Sequence, residues 1–299
     1  MLSHHKQTLI KLFAQCHRIY ANPKESVQEC FSVQETLISK ITYIEHRIRE
    51  RKEAIKGLKN QLGGHAGICL SKDEARKAKD KIEHYHYQID QYQELAIIYR
   101  DIGDALAFSY IDKWDIKPLA IKEAPGSLSG KKGSRLERKI FRRAFSLGHI
   151  VLLNDITNCL RYGDITVPKE DKFMVIEAKS GKRRTDRDIR QSAETQNLMK
   201  FFETDNTDRL YRQDRNTQRV GFGTQEIHYR DNINELVTAA IENGMSAMEV
   251  ESGLFYIVST KFDPEIAENV RKKCIGKPIA SMLSQNSRNY IYFPIILTI

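Results

Sequence analysis

Three charged residues with types and spacing suited to phosphodiester chemistry lie in the middle of the chain. Asp164 follows a glycine, and Glu177 and Lys179 stand at the end of an apolar run shortly after it. Side chains alternate along a strand, so Glu177 and Lys179 would project from one face, about 7 Å apart. Two carboxylates can hold Mg²⁺ or Mn²⁺ against a phosphate, while an ammonium group orients the attacking water. The pattern favours metal-dependent phosphodiester hydrolysis, provided that the Asp164 strand pairs with the Glu177 strand.

Helical and strand periodicities predict the elements that must position these residues. The order around the motif is helix, three strands, helix, at residues 134–146, 149–153, 164–167, 173–179 and 185–202. A polar stretch at 203–219 indicates a loop. Strands are then predicted at 225–229, 254–259 and 290–297, with helices at 231–243 and 263–274. This alternation indicates an α/β domain.

The motif resembles the signature of the PD-(D/E)xK nuclease superfamily, here Asp164 and Glu177-Ala178-Lys179. The superfamily adds an acidic residue on the preceding helix, and Glu137 matches that position beside the apolar stripe of its helix. The resemblance implies a restriction-endonuclease-like mixed-sheet domain, Mg²⁺ or Mn²⁺ as cofactor, and DNA as the preferred substrate. It assigns Glu137, Asp164, Glu177 and Lys179 to catalysis, with the three carboxylates as metal ligands. Gly163 stands where the signature has proline.

Asp155 is the competing candidate for the first metal ligand, because it also ends a strand-like run. It ranks second, since an aspartate entering a loop most often caps or hydrogen-bonds locally. The motif has simpler interpretations too: Asp164 as a turn residue, and Glu177 with Lys179 as a solvated ion pair. These do not explain why both charges end an apolar run.

Basic residues flank the motif on both sides, around the Glu137 helix and directly after Lys179. Such residues hold a nucleic-acid backbone without reading its sequence, although a solvated helix face is the simpler interpretation. The resemblance also favours a glutamine on the following helix, and Gln191 is preferred over Gln196. The predicted nucleic-acid contacts are Arg138, Arg142, Lys182, Arg183, Arg184, Arg187 and Gln191.

The N-terminal third has the pattern of two long helices that fold back on each other. Apolar residues recur at spacings of three and four from Leu37 to Leu62 and again from Ala75 to Tyr99, with a glycine-containing break between them. This predicts an antiparallel coiled-coil hairpin. The hairpin could mediate a homo-oligomer or bind a partner protein, while its mixed charges are typical of a solvated surface.

Proline, glycine and serine interrupt all periodicity between Lys117 and Gly133, which predicts a domain boundary. The predicted organisation is a helical hairpin region at 1–116, a linker at 117–132 and the nuclease domain at 133–299.

Composition adds a basic charge balance, with 48 Lys and Arg against 39 Asp and Glu, which suits a polyanionic partner. The five cysteines are scattered and form no CxxC, so neither a disulfide framework nor a zinc ribbon is supported. No apolar run reaches the length of about 18 residues that a membrane span needs. We therefore expect a cytoplasmic protein without a membrane partner.

The favoured function is a metal-dependent DNA nuclease, with bacterial defence against phage or plasmids as its setting. A non-catalytic nucleic-acid-binding scaffold that oligomerises through the hairpin is the alternative from another class. An RNA-cleaving effector would differ only in its substrate. Plasmid cleavage and nucleic-acid binding, measured together, separate these possibilities.

Overall fold

The helices make up most of the N-terminal half. The computed structural model describes residues 2–63, 70–120, 128–129, 134–169, 172–178, 186–208, 210, 216–221, 223, 227–259, 279–281 and 296–298. Its helices are α1 (Leu2–Ala21), α2 (Val27–Leu62), α3 (Lys72–Tyr110), α4 (Lys113–Leu119), α5 (Ser134–Ser146), α6 (Asp186–Thr204) and α7 (Arg230–Asn243). None of these seven combines the length and apolar character needed to cross a bilayer.

The strands form three small sheets in which every described pairing is antiparallel. They are β1 (Leu152–Leu153), β2 (Ile165–Pro168), β3 (Phe173–Ile176), β4 (Asn206–Thr207), β5 (Thr217–Gln218), β6 (Met245–Glu251), β7 (Leu254–Ser259), β8 (Ile279–Ser281) and β9 (Ile296–Thr298). The sheet orders are β1-β2-β3, β4-β5 and β6-β7-β9-β8. The prediction of a protein that mixes helices and sheet, with helices at its N-terminus, is confirmed. The described strands do not form the mixed sheet expected for a restriction-endonuclease-like domain.

The chain is divided into two compact units, Met1–Arg219 and Val220–Ile299. This division differs from the predicted hairpin at 1–116, linker at 117–132 and domain at 133–299. α4 runs into the predicted linker, and Leu128 within it is buried. The physical reason is a shared apolar core, in which residues of α2 and α3 pack with those of α5 and of β1 to β3.

α2 and α3 form an antiparallel hairpin, as their cross-helix hydrogen bonds show. Arg47 Nε lies 3.3 Å from the Tyr92 hydroxyl, and Arg51 Nε lies 2.6 Å from Gln88 Oε1, so the partners run in opposite directions. α3 begins with a capping box, in which the Ser71 side chain accepts from Glu74 N–H while the Glu74 carboxylate accepts from Ser71 N–H. The predicted seam lies in the interface, and its buried members include Leu37, Ile41, Ile44, Ile55, Ala78, Ile89, Tyr92, Ala96 and Tyr99.

α1, which the periodicity analysis did not identify, packs against both hairpin helices. Its inner face buries Leu12 and Ile19. His5 on the same helix is also buried, and its Nδ1 lies 2.7 Å from the Tyr99 hydroxyl. α1 and the two hairpin helices therefore pack as three long helices, where the sequence predicted the hairpin alone.

Polar side chains of the hairpin bind the β1-β2-β3 sheet through hydrogen bonds. Gln34 on α2 donates to Val151 O at 2.8 Å and accepts from Leu153 N–H at 3.0 Å. Asp104 on α3 accepts from the N–H groups of Asn158 and Cys159, at 2.7 and 2.9 Å. These contacts hold β1 and the loop between β1 and β2 in place.

The backbone of α3 also lies close to the turn that follows β1. A Cβ on Gly103 would lie 2.1 Å from Ile156 O, so only glycine allows α3 to approach the turn after β1 this closely. The hairpin is thus part of the platform on which the motif is built.

In the second unit, α7 packs on β6 and β7 through a small core of Leu236, Ala240, Tyr256 and Val258. The predicted helix at 231–243 and strand at 254–259 are confirmed, whereas β6 was not predicted. Residues 227–229, the described part of the predicted strand at 225–229, are not in a strand. The predicted helix at 263–274 lies outside the described residues, as does the predicted strand at 290–297 except where it overlaps β9.

Burial raises the thiol pKa of each cysteine that the structure describes. Cys16, Cys30 and Cys159 are free and buried, while Cys69 and Cys274 lie outside the described residues. Burial raises the pKa of the Cys16 thiol to about 12 and that of Cys30 to about 11. Burial also raises the pKa of Cys159, with Asp104 nearby adding to the shift. All three are structural thiols with little thiolate at neutral pH.

Candidate functional site

Asp164 and Glu177 lie at the same end of the β2-β3 pair. The last paired residues at that end are Ile165 and Ile176, and Asp164 and Glu177 are their immediate neighbours in the chain. Asp164 N–H donates to Ile176 O at 2.9 Å, and Ala178 N–H donates to Asp164 Oδ2 at 2.7 Å. The strand pairing on which the predicted chemistry depends is therefore present.

Gly163 shapes the turn that delivers Asp164. Its φ is +68°, in the left-handed region, and a Cβ there would lie 2.4 Å from Val175 Cγ1 and 2.9 Å from Ile176 O. Proline fixes φ near −65°, so it could not occupy this position. The departure from the superfamily signature thus has a conformational cause, because this turn crosses the β3 backbone too closely for any side chain.

Asn154 locks the loop that ends at Asp164, although the sequence analysis passed over it. The residue is only 2% exposed, and its side-chain amide donates to Tyr162 O and to Gly163 O, the latter at 3.3 Å. Asn154 Oδ1 accepts from Thr166 Oγ1 at 2.8 Å, and Asn154 N–H donates to Asp164 O at 3.0 Å. The sequence contained a signal for Asn154, because a polar residue directly follows the apolar run 151–153. The prediction considered only the neighbouring Asp155.

Asp155, the competing candidate ligand, lies in the 3-10 turn Asn154–Ile156 that follows β1. Its backbone carbonyl accepts a hydrogen bond from Arg100 Nε on α3 at 3.3 Å. Asp155 thereby joins the contacts that fasten the hairpin to the sheet, whereas Asp164 bonds to the end of β3 and the residues after it.

Glu177 lines a groove of about 360 Å³ between β3 and α6. Val175 lies on its β3 side, and α6 contributes mainly polar side chains. The α6 residues are Ser192, Thr195, Gln196, Met199, Lys200 and Glu203. Gln196, which the sequence ranked below Gln191, thus shares a groove with the motif. An extended anionic ligand in this groove would meet hydrogen-bond donors along one wall.

Glu137 lies on α5 and is 6% exposed, in agreement with its predicted place beside the buried face. One and two turns later on the same face, Phe141 and Phe145 are buried, with ring centroids 5.4 and 5.2 Å from that of Phe31. Within the described part of the chain, no three His, Cys, Asp or Glu side chains are grouped so that they could hold a metal ion. The structure therefore places Asp164 and Glu177 at the same end of the β2-β3 pair, and Glu137 does not complete a group of three with them.

Several predicted site residues fall where the structure gives no side-chain description. Lys179, Lys182, Arg183 and Arg184 lie outside the described residues. Arg187 and Gln191 belong to α6, and only their place on that helix is described. Their roles stay predictions.

Arg138 and Arg142, two of the predicted nucleic-acid contacts, are engaged with α2. Arg142 donates to Glu35 through Nε at 2.8 Å and Nη2 at 3.2 Å, and this hydrogen bonding raises the pKa of Arg142. Arg138 Nη2 lies 3.5 Å from Thr42 Oγ1. Both guanidinium groups help fasten α5 to the hairpin, so their part in binding nucleic acid also stays a prediction.

Three comparisons of this chain with known proteins, against family models, curated proteins and solved structures, give no match. The resemblance to the PD-(D/E)xK superfamily accordingly rests on the motif residues.

Proposed function

We propose that this chain is a metal-dependent nuclease that hydrolyses DNA phosphodiester bonds. The observation that carries the proposal is that two carboxylates, Asp164 and Glu177, lie at the same end of the paired strands β2 and β3. The preference for DNA, and a setting in bacterial defence against phage or plasmids, come from the superfamily resemblance.

The donor set fits a hard divalent cation. Carboxylate oxygens are the ligands that Mg²⁺ and Mn²⁺ prefer, and Asp164 and Glu177 supply them at the same end of the β2-β3 pair. When bound there, such an ion would supply positive charge to the non-bridging oxygens of a phosphodiester. Asp164 and Glu177 are therefore the proposed ligands, with Glu137 as the further carboxylate that the resemblance implies.

The charges of the groove support a need for a cation. Glu177 and Glu203 both line it, and Lys200 is the single cationic side chain among the lining residues that the structure describes. A phosphodiester entering beside two carboxylates is repelled unless positive charge is added. A bound cation would reverse this balance next to Glu177, which is where hydrolysis needs it.

The chain's own residues have distinct roles in the proposed reaction. The Ala178 N–H holds one oxygen of Asp164, and the Gly163 turn and Asn154 fix the backbone on either side. Thr195 and Gln196 would donate hydrogen bonds to phosphate oxygens along the groove. Lys179 is proposed to orient the attacking water, as the resemblance implies.

The test is cleavage of supercoiled plasmid, single-stranded DNA and RNA, with Mg²⁺, Mn²⁺ or EDTA. Asp164→Asn and Glu177→Gln keep side-chain size while removing charge. We expect metal-dependent cutting of DNA that falls by at least about 100-fold in each variant, the usual loss when a transition-state contact is removed. Asp155→Asn is the matched control, because it neutralises the competing carboxylate nearby.

Each alternative has its own result. Loss in Asp155→Asn with retention in Asp164→Asn would move the site to the other carboxylate. Preferential cutting of RNA would replace the proposed substrate. Nucleic-acid binding without cutting of any substrate under any of these conditions would favour the non-catalytic scaffold.

A further inference from the structure

A row of three exposed cations runs along the outer face of α5. Arg135, Lys139 and Arg143 recur every fourth residue, and all three are exposed. With a rise of 1.5 Å per residue they are spaced about 6 Å apart along the axis and span about 12 Å. No hydrogen bond or ion pair joins the side chain of any of the three to another described residue. We call these three residues the α5 stripe.

The α5 stripe is separate from the arginines that support the fold. Arg142 pairs with Glu35 and Arg138 contacts Thr42, so both guanidinium groups are directed to α2. The stripe residues make no such contact within the described part of the chain. α5 therefore divides its cations into a structural set and an outward-facing set.

The α5 stripe departs from two charge arrangements that stabilise isolated helices. Arg135–Lys139 and Lys139–Arg143 are like-charge pairs at i,i+4, which repel each other. Arg135 also stands in the first turn, where the helix dipole disfavours a cation. The one acidic residue of α5, Glu137, is buried and does not offset the exposed charge.

The hairpin shows what an ordinary solvated face in this protein looks like. There Arg47 pairs with Glu50, and Arg76 lies near Asp73. Charges of both signs alternate along those helices. The single-signed surface of α5 contrasts with this arrangement. Local instability of this kind is expected where a surface serves a ligand.

We propose that the α5 stripe binds the phosphodiester backbone of nucleic acid, without reading base sequence. Three cations in a row match the repeating charge of such a backbone. A membrane surface fits less well, because the exposed described positions of α5 are Arg135, Lys139, Arg142, Arg143 and Ser146, and Leu147, directly after the helix, adds one exposed large apolar side chain to them. The proposal rests on nucleic acid as the proposed substrate and adds where it is held; it does not depend on hydrolysis.

The test measures binding alone, in EDTA, so that cutting plays no part. The full-length chain is titrated into a fluorescein-labelled 20-base-pair duplex of arbitrary sequence, and anisotropy is followed at several NaCl concentrations. The stripe variant is Arg135→Gln/Lys139→Gln/Arg143→Gln. The matched control is Lys52→Gln/Lys56→Gln/Lys59→Gln, which removes the same charge from exposed positions of α2. Circular dichroism checks that both variants keep their helices.

Each phosphate contact contributes about 0.9 to the slope of log K against log salt. We expect the stripe variant to have a slope shallower by about 2.7, with weaker binding at every salt concentration, while the control keeps the slope of the unchanged chain. Equal losses in the two variants would show a net-charge effect and overturn the proposal. So would retention of the full slope in the stripe variant, or absence of duplex binding by the unchanged chain.

Two further arms separate this proposal from its neighbours. If the unchanged chain binds vesicles of anionic phospholipid more tightly than the duplex, and the stripe variant loses that binding, a membrane surface replaces nucleic acid as the partner. If the chain binds the duplex through the stripe but cuts no substrate with Mg²⁺ or Mn²⁺, the proposed nuclease activity fails while the binding surface stands.

Discussion

Replacing Gly163 with alanine tests whether the turn before Asp164 is as constrained as its geometry indicates. Two independent costs apply to Gly163→Ala. A φ of +68° places the new side chain in the left-handed region, which costs about 1–2 kcal/mol. The new Cβ would also lie 2.4 Å from Val175 Cγ1 and 2.9 Å from Ile176 O, and overpacking of this kind costs about 1–3 kcal/mol. We expect the free energy of unfolding to fall by about 2–5 kcal/mol.

Two other glycines separate these costs. Gly148 has a φ of +81° with nothing within 4 Å of the added Cβ, so Gly148→Ala should show only the backbone cost of about 1–2 kcal/mol. Gly57 lies within α2 with open space around it, so Gly57→Ala should stabilise the chain by about 0.5–1 kcal/mol. One substitution at three positions thus has three predicted outcomes.

Urea unfolding, followed by circular dichroism, measures the three free energies, and plasmid cleavage is measured alongside. The expected order of stability is Gly57→Ala, then the unchanged chain, then Gly148→Ala, then Gly163→Ala. If Gly163→Ala is no less stable than Gly148→Ala, the close approach to β3 has no energetic effect and the steric argument is wrong. If Gly163→Ala keeps full stability and full cleavage activity, the turn does not position Asp164.

Three further predictions concern buried groups. Asn154→Ala leaves the Thr166 hydroxyl and nearby carbonyls without their partner, so urea unfolding should show a loss of about 2–4 kcal/mol; a loss below about 1 kcal/mol would contradict the network. Burial, reinforced by Lys40, lowers the pKa of His5 below 6.5, so the unfolded chain binds more protons there. The contribution of neutral His5 to the free energy of unfolding should be complete above pH 6.5 and should decline as the pH falls below it. His5→Gln should remove this pH dependence from the unfolding free energy. Cys16, Cys30 and Cys159 should react with iodoacetamide only after unfolding, as peptide mass mapping would show; rapid labelling in the native chain would refute their burial.

Periodicity predicted most long elements of the first unit, because each has one clear apolar face. α5 begins and ends at the predicted residues, and α2 and α3 contain the predicted seam. The β2-β3 pairing followed from two short strand patterns on either side of a turn. The position of Asp164 and Glu177 at the same end of this pair was predictable for the same reason, since it needs only local strand geometry.

What the sequence could not predict depends on contacts between distant residues. Gln34 contacts the chain at β1 and Asp104 contacts the loop that follows it, and each contact joins residues more than 50 positions apart. Contacts of this kind produce no periodic pattern in the sequence. For that reason the predicted boundary at 117–132 does not separate compact units. Asn154 was missed because its importance comes from partners across a loop. α1 was missed because its apolar residues are interrupted by polar ones on the buried side, such as His5 and Gln15.

The side chain of Gln34 has a consequence for how the sheet behaves towards other molecules. β1 is an edge strand, and such edges invite strands from other chains to pair with them. The Gln34 amide donates to Val151 O and accepts from Leu153 N–H, which is the pattern that one residue of a parallel neighbouring strand would make. A single helix residue, fully buried, thus occupies the place of a missing strand. The sheet is closed at this edge without a further strand, so intermolecular β-pairing and aggregation through β1 require α2 to detach first.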